Sequence, residues 1–210
     1  AGITVIDVET GAISAIGTGR NRGRKEWNYA TQTLRQPGST AKPIFAYAPG
    51  FEFDNFSTYQ LFVDEKWSYT DGTGIGNWDG GYKGYGTIQT HLVGSRNIPA
   101  LRTFRALDPK DIIDFTTNLG LTPEIYSCNS GYRLNGNKCI NKENPKDIID
   151  AKKSSYIHEA HSIGAFTGTN PLEMSAAYAA FSNGGYYNEP YSVRKIEFRL
   201  SGRVEEHHSN

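Results

Sequence analysis

The chain has 210 residues, 22 basic against 22 acidic side chains, a formal net charge of zero, and 37% hydrophobic and 12% aromatic residues. That length fits one domain with a real core, the reading adopted, and would also permit a fused pair of small ones; the balanced charge offers no global basic surface, so nucleic acid is not an expected partner. No apolar run reaches the roughly 18 residues that a spanning helix needs.

In chain order, Ile3-Thr4-Val5-Ile6-Asp7-Val8, the turn Glu9-Thr10-Gly11 and Ala12-Ile13-Ser14-Ala15-Ile16-Gly17 predict a hairpin. Arg20-Asn21-Arg22-Gly23-Arg24-Lys25 is the one basic cluster. It reads as a solvated loop after the second strand, with a contact to an anionic polymer or lipid head group as the alternative.

Gln36-Pro37-Gly38-Ser39-Thr40-Ala41-Lys42-Pro43 comes next. Pro37-Gly38 breaks the preceding segment, serine favours a helix start, and Pro43 is tolerated only near that start, where its missing N–H costs nothing. Ser39 and Lys42 are then three apart on one helical face. A serine hydroxyl needs a base to become a nucleophile, and the positive end of a helix disfavours a protonated lysine and favours a developing oxyanion. In isolation the pair also fits a capped helix with a solvated lysine.

The stretch from Trp67 through Tyr85, rich in glycine and holding Tyr69, Trp78 and Tyr82, cannot be a regular helix and predicts loops packed by rings. It is read as a scaffold for the segment that follows, with Trp78 or Tyr82 lining a substrate groove as the alternative. That segment, Gly94-Ser95-Arg96-Asn97-Ile98-Pro99-Ala100, contains a second motif, S-x-N. Asp108 and Pro109 then cap a structural helix ending near Asn118-Leu119-Gly120.

Cys128 and Cys139 sit in a loop rich in Asn, Gly and Lys, and a disulfide is expected between them. No metal site is expected. His158 and His161, three apart, read as structural residues. Asn170-Pro171 caps a helix over Leu172–Phe181 that Asn183-Gly184-Gly185 ends, and Tyr191–Phe198 with Leu200–Glu205 predicts a closing hairpin around Ser201-Gly202.

Ala30–Ser39 leading into Lys42-Pro43-Ile44, the Ser95-Arg96-Asn97-Ile98-Pro99-Ala100 run, and Asn170–Gly185 together resemble the transpeptidase domain of class A, bifunctional penicillin-binding proteins. S-x-x-K followed by a serine–asparagine motif is the first part of that family's signature. The resemblance covers nearly all of residues 1–210 as one partial domain, except an insertion at about 126–156. It implies an α+β class, the penicillin-binding protein/serine β-lactamase-like transpeptidase fold, with an antiparallel sheet against a helical subdomain and the C-terminal strands missing. The third motif, Lys-Ser/Thr-Gly, is absent: Lys153-Ser154-Ser155 lacks the glycine and Lys83-Gly84-Tyr85 the hydroxyl.

By resemblance, Ser39 is the nucleophile toward the penultimate D-alanine of a peptidoglycan stem peptide and Lys42 its base. Ser95 relays a proton to the leaving D-alanine, and Asn97 binds Lys42 or the substrate's amide backbone. The expected activity is D,D-transpeptidation, with β-lactam antibiotics acylating the same serine. The alternatives are a D,D-carboxypeptidase or β-lactamase, the latter disfavoured by the lack of a Glu-x-x-Leu-Asn stretch, and a non-catalytic wall-binding module. No cofactor is implied. The implied partners are stem peptides, β-lactams, an upstream glycosyltransferase domain and the remaining C-terminal strands, in a larger protein anchored at the extracytoplasmic face of a bacterial membrane. A chain without the third motif is expected to acylate weakly or not at all by itself.

Overall fold

The computed structural model of the chain describes residues 1–19, 27–122, 124–135, 138–150, 152–155, 157–166 and 168–206. The basic cluster at 20–25 lies outside them. In order, the elements are β1 (Ile3–Ile6), β2 (Ile13–Gly17), a helical rod from Gly38 into α1 (Ala48–Phe53), β3 (Leu61–Asp64), β4 (Trp67–Ser68), β5 (Gly74–Ile75) and β6 (Gly84–Thr87). There follow α2 (Ile88–Val93), α3 (Asn97–Ala106), α4 (Pro109–Asn118), β7 (Glu124–Ser127), β8 (Tyr132–Asn135), β9 (Lys138–Asn141), β10 (Ile148–Asp150) and β11 (Lys152–Ser155). A short 3₁₀ helix (Glu159–Ile163), α5 (Pro171–Ala179), β12 (Lys195–Glu197) and β13 (Val204–Glu206) complete the order. The class is α+β as expected, but the strands form small separate sheets of two or three strands, all antiparallel, in place of one large sheet.

These elements fall into two compact units, each described by itself. The first comprises residues 1–35, 116–121 and 169–210. Its β1–β2 hairpin turns where the Asp7 carboxylate accepts from the Thr10 N–H and hydroxyl, and the Thr4 and Ser175 hydroxyls join β1 to α5 at 2.9 Å. Asn170 caps α5 reciprocally with Glu173, the amide accepting from the Glu173 N–H while the carboxylate accepts from the Asn170 N–H. The closing hairpin is shorter than the sequence implies: Tyr191 bridges Ala12 in parallel, and pairing resumes only at Lys195.

The second unit, residues 36–115 and 122–168, carries both motifs. Ile44, Phe45, Ala46 and Tyr47 are all buried, so the rod after Lys42 is covered on every side, as a central core helix must be. Ile75, Ile98 and Leu101 form a neighbouring cluster against Trp67, Tyr69 and Ile163, with the Arg102 guanidinium 3.6 Å from the Trp67 ring centroid. Cys128 and Cys139 are joined in a disulfide. The inserted stretch, read from sequence as loop, is paired backbone: β8–β9–β10 form one sheet and β7–β11 another.

Candidate active site

Proline dictates the shape of the rod that begins at the first motif. Pro43 has no N–H, and in an α-helix its ring would meet the Ser39 carbonyl one turn back. The chain avoids that conflict by winding tightly before Pro43 and widely after it. Gly38–Ala41 is 3₁₀, with the Lys42 N–H on the Ser39 carbonyl, and Pro43–Tyr47 is a π turn, with the Ala48 N–H on the Pro43 carbonyl. The sequence placed the helix start correctly and missed this change of winding. No side chain caps this start, and the Thr40 hydroxyl donates back to the Pro37 carbonyl at 2.8 Å. Ser39 is exposed, and among the described residues its hydroxyl has no hydrogen-bond partner.

Glycine at 164 is required here. It ends the Glu159–Ile163 helix at φ +77, and an added Cβ would lie 2.1 Å from the Gly38 carbonyl oxygen, one residue before Ser39. Beneath this junction His161 is buried, stacked on Phe166 and 5.7 Å from Phe45 between ring centroids. Burial, then the neighbouring His158, holds its pKa down to about 3, so it is neutral at ordinary pH and acts structurally.

Lys42 is 0% exposed. Its ammonium donates to two oxygens of one residue, the Ser95 carbonyl at 2.6 Å and the Ser95 hydroxyl at 3.0 Å. Burial, and secondarily the positive charge of Arg96, brings its pKa down from 10.5 to about 8. Roughly a tenth of the molecules then carry a neutral amine at pH 7, against less than about one in a thousand for an exposed lysine.

Ser95 reaches Lys42 through an unusual helix ending. At the end of α2 the Ser95 N–H bonds the Leu92 carbonyl and the Arg96 N–H bonds the His91 carbonyl, the crossed pair of a Schellman motif. The residue after the cap in that motif is left-handed and is commonly glycine. Here it is Ser95 at φ +50, a conformation that costs a side-chain-bearing residue about 1–2 kcal/mol. Asn97 does not meet Lys42. Its side-chain amide donates to the Gly76 carbonyl at 2.7 Å, and its backbone N–H donates to Asn77 Oδ1 at 2.7 Å. Of the two expected Asn97 contacts, the one to Lys42 is not formed in the unliganded chain.

Behind the triplet stands a network that the motifs did not signal. Arg96 Nε donates to Asp64 Oδ2 at 2.7 Å, Nη1 to Asp79 Oδ2 at 2.9 Å and Nη2 to the Gly81 carbonyl. Asn77 Nδ2 donates to Asp64 Oδ1 at 2.8 Å, and the Trp78 indole N–H to the Gly94 carbonyl at 3.2 Å. Asn77, Asp79 and Gly81 all belong to the glycine-and-aromatic stretch, which thus holds the S-x-N segment, in line with the scaffold reading. An open hollow lined by residues including Tyr69, Thr70, Phe104, Arg105, Ile157 and Glu159 contains none of Ser39, Lys42, Ser95 or Asn97. Among the described residues no group of three or more His, Cys, Asp or Glu is placed to hold a metal.

The arrangement sets an exposed hydroxyl at Ser39 three residues before a buried amine of depressed pKa, and a second hydroxyl, that of Ser95, bonded to that amine, the parts of a serine acyl-transfer site; Ser39 and Lys42 make no hydrogen bond to each other among the described residues. The family described as penicillin binding protein transpeptidase domain matches residues 1–210. The chain belongs to this family. The transpeptidase domain is 40% identical over 200 residues to penicillin-binding protein 1A/1B of Bacillus subtilis, covering 94% of this chain and 19% of that protein. It is 32% identical to penicillin-binding protein 1A of Streptococcus pneumoniae, covering 93% of this chain and 24% of that protein. The crystal structure of penicillin-binding protein 1A from Haemophilus influenzae aligns with TM-score 0.72 and 25% identity over 99% of this chain and 27% of that one. The transpeptidase domain therefore spans about a fifth to a quarter of the relatives it matches.

Proposed function

We propose that the protein is a peptidoglycan D,D-transpeptidase in which Ser39 is the acylated nucleophile. Lys42 carries the reading: a fully buried lysine whose Nζ bonds the two Ser95 oxygens, with its pKa down to about 8, is suited to exchange protons and ill suited to a static ion pair. Neutral Lys42 takes the Ser39 proton as Oγ attacks the carbonyl carbon of the penultimate D-alanine of a stem peptide. The new C–O bond forms an acyl-enzyme as the C–N bond to the terminal D-alanine breaks. The proton passes from Lys42 through the Ser95 hydroxyl to the leaving amine, and Asn97 Oδ1, which has no partner among the described residues, accepts from the substrate amide. An amine of a neighbouring stem peptide then displaces Ser39, which recovers its proton. A β-lactam enters the same path, but its opened ring keeps the leaving nitrogen attached.

The site works within a longer protein at the extracytoplasmic face of a bacterial membrane, with a glycosyltransferase domain alongside. The disulfide and the short share of the relatives that this chain spans support that reading. With no Lys-Ser/Thr-Gly triplet in its sequence, the 210-residue chain by itself acylates weakly or not at all. In the full protein, a fluorescent penicillin is expected to label stably, and a stem pentapeptide with an amine acceptor to give transfer product by mass spectrometry. Rapid loss of label with only hydrolysed product would assign a carboxypeptidase or β-lactamase, and no label with no product a non-catalytic wall-binding module.

A further inference from the structure

Arg96 lies between two residues with chemical roles and has none of its own. Its side chain is 3% exposed, yet all of its donor nitrogens are engaged by Asp64, Asp79 and the Gly81 carbonyl. Asp64 is 0% exposed and also accepts from Asn77 Nδ2 at 2.8 Å and the Lys83 N–H at 3.0 Å. Through Asn77 the same network takes the Asn97 N–H. Residues 96 and 97 are thus fixed by groups 15 to 32 residues away in sequence, while residue 94 is fixed by the end of α2 and by Trp78. Ser95 is caught between these anchors, and a left-handed serine persists only where its surroundings over-determine it. In that conformation both its carbonyl and its hydroxyl meet Lys42 Nζ. A buried guanidinium between carboxylates gains little net stability over an apolar replacement, so its use lies in geometry.

We propose that Arg96 is a positioning residue for acyl transfer, locking the Ser95-Arg96-Asn97 turn to Asp64, Asp79 and Gly81 so that both Ser95 oxygens stay on Lys42. This rests on the acyl-transfer reading above. The Arg96 charge also acts on Lys42, with the Asp64 and Asp79 carboxylates bound to it, so its removal alters the charge Lys42 feels as well as the turn.

The test compares Arg96→Met, Arg96→Lys and Asp79→Asn by two readouts. One is the rate of acylation by a β-lactam across pH in the full protein, and the other is the titration of Lys42 followed by NMR of isotopically labelled lysine in this chain. Arg96→Met is expected to slow acylation about 100-fold, the cost of misplacing a reacting group by an ångström, and to raise the Lys42 pKa. Arg96→Lys keeps the charge but not the fork, and is expected to restore the Lys42 pKa and part of the rate. If Arg96→Met does not fold, Arg96→Lys and Asp79→Asn carry the test through slower acylation in a folded protein. Folded variants that acylate at the parent rate with an unmoved Lys42 titration would overturn the proposal. A parent that never acylates, with a Lys42 titration that still responds to residue 96, counts against the transpeptidase reading and leaves the coupling standing.

Discussion

Replacing Lys42 by methionine converts the site's electrostatics into a stability measurement that needs no substrate. Methionine has similar length and suits a buried apolar slot. The parent lysine titrates at about 8 when folded and at 10.5 when unfolded. Between those values the unfolded chain binds more protons, so parent stability rises with pH through that window, and below about pH 8 the fold bears the full cost of a buried ammonium. The variant has no such group. The stability difference, parent minus variant, should therefore grow by about 2.5 kcal/mol from pH 7 to pH 10, while all other titrations cancel in the subtraction. At pH 7 the variant gains up to about 3 kcal/mol by not burying a charge and loses two hydrogen bonds to Ser95 at about 1 kcal/mol each, so it should be slightly more stable than the parent. Urea unfolding of both chains at several pH values, with the disulfide intact, reads the difference directly. A difference that stays flat from pH 7 to pH 10 would refute the depressed lysine and the base assigned to it.

Gly164→Ala combines a left-handed backbone with a Cβ driven into the Gly38 carbonyl, and should lower stability by at least about 1–3 kcal/mol, read by thermal unfolding; an unchanged Tm would mean the junction does not hold Ser39. Asn77→Ala leaves Asp64 Oδ1 and the Asn97 N–H short of a partner and should cost about 1–3 kcal/mol by urea unfolding, with slower β-lactam acylation. Reducing Cys128–Cys139, which closes a loop of sequence separation 11, should weaken the β7–β11 region by up to about 3 kcal/mol in hydrogen exchange and leave the acylation rate unchanged. Acylation should rise with pH along a limb centred near pH 8 as Lys42 loses its proton, and a limb near the 10.5 of an exposed lysine would contradict its burial.

The features legible in the sequence were those with a local cause. Asn170 and Asp108 announced helices α5 and α4 because capping is decided within one turn. Ser39 with Lys42 and Ser95 with Asn97 were visible because the chemistry demands fixed spacing. What stayed hidden depends on distant partners: Asp64 meets Arg96 across 32 residues, and nothing near either residue signals burial. The winding change around Pro43 was implicit in its missing N–H, but the sequence does not say whether the chain kinks, stops or widens into a π turn there. The strands β8, β9 and β10 of the inserted stretch were obscured by polar composition, which lacks the alternation that a packed face imposes, although Cys139 in β9 is buried.

The most direct measurement is the mass of the peptide containing Ser39 after the full protein has been treated with a penicillin and digested. The account predicts a peptide heavier by one intact, ring-opened penicillin, with fragmentation placing the addition on Ser39 and Lys42→Met abolishing it. An adduct on another residue, or full labelling of Ser39 in the Lys42→Met protein, would contradict it.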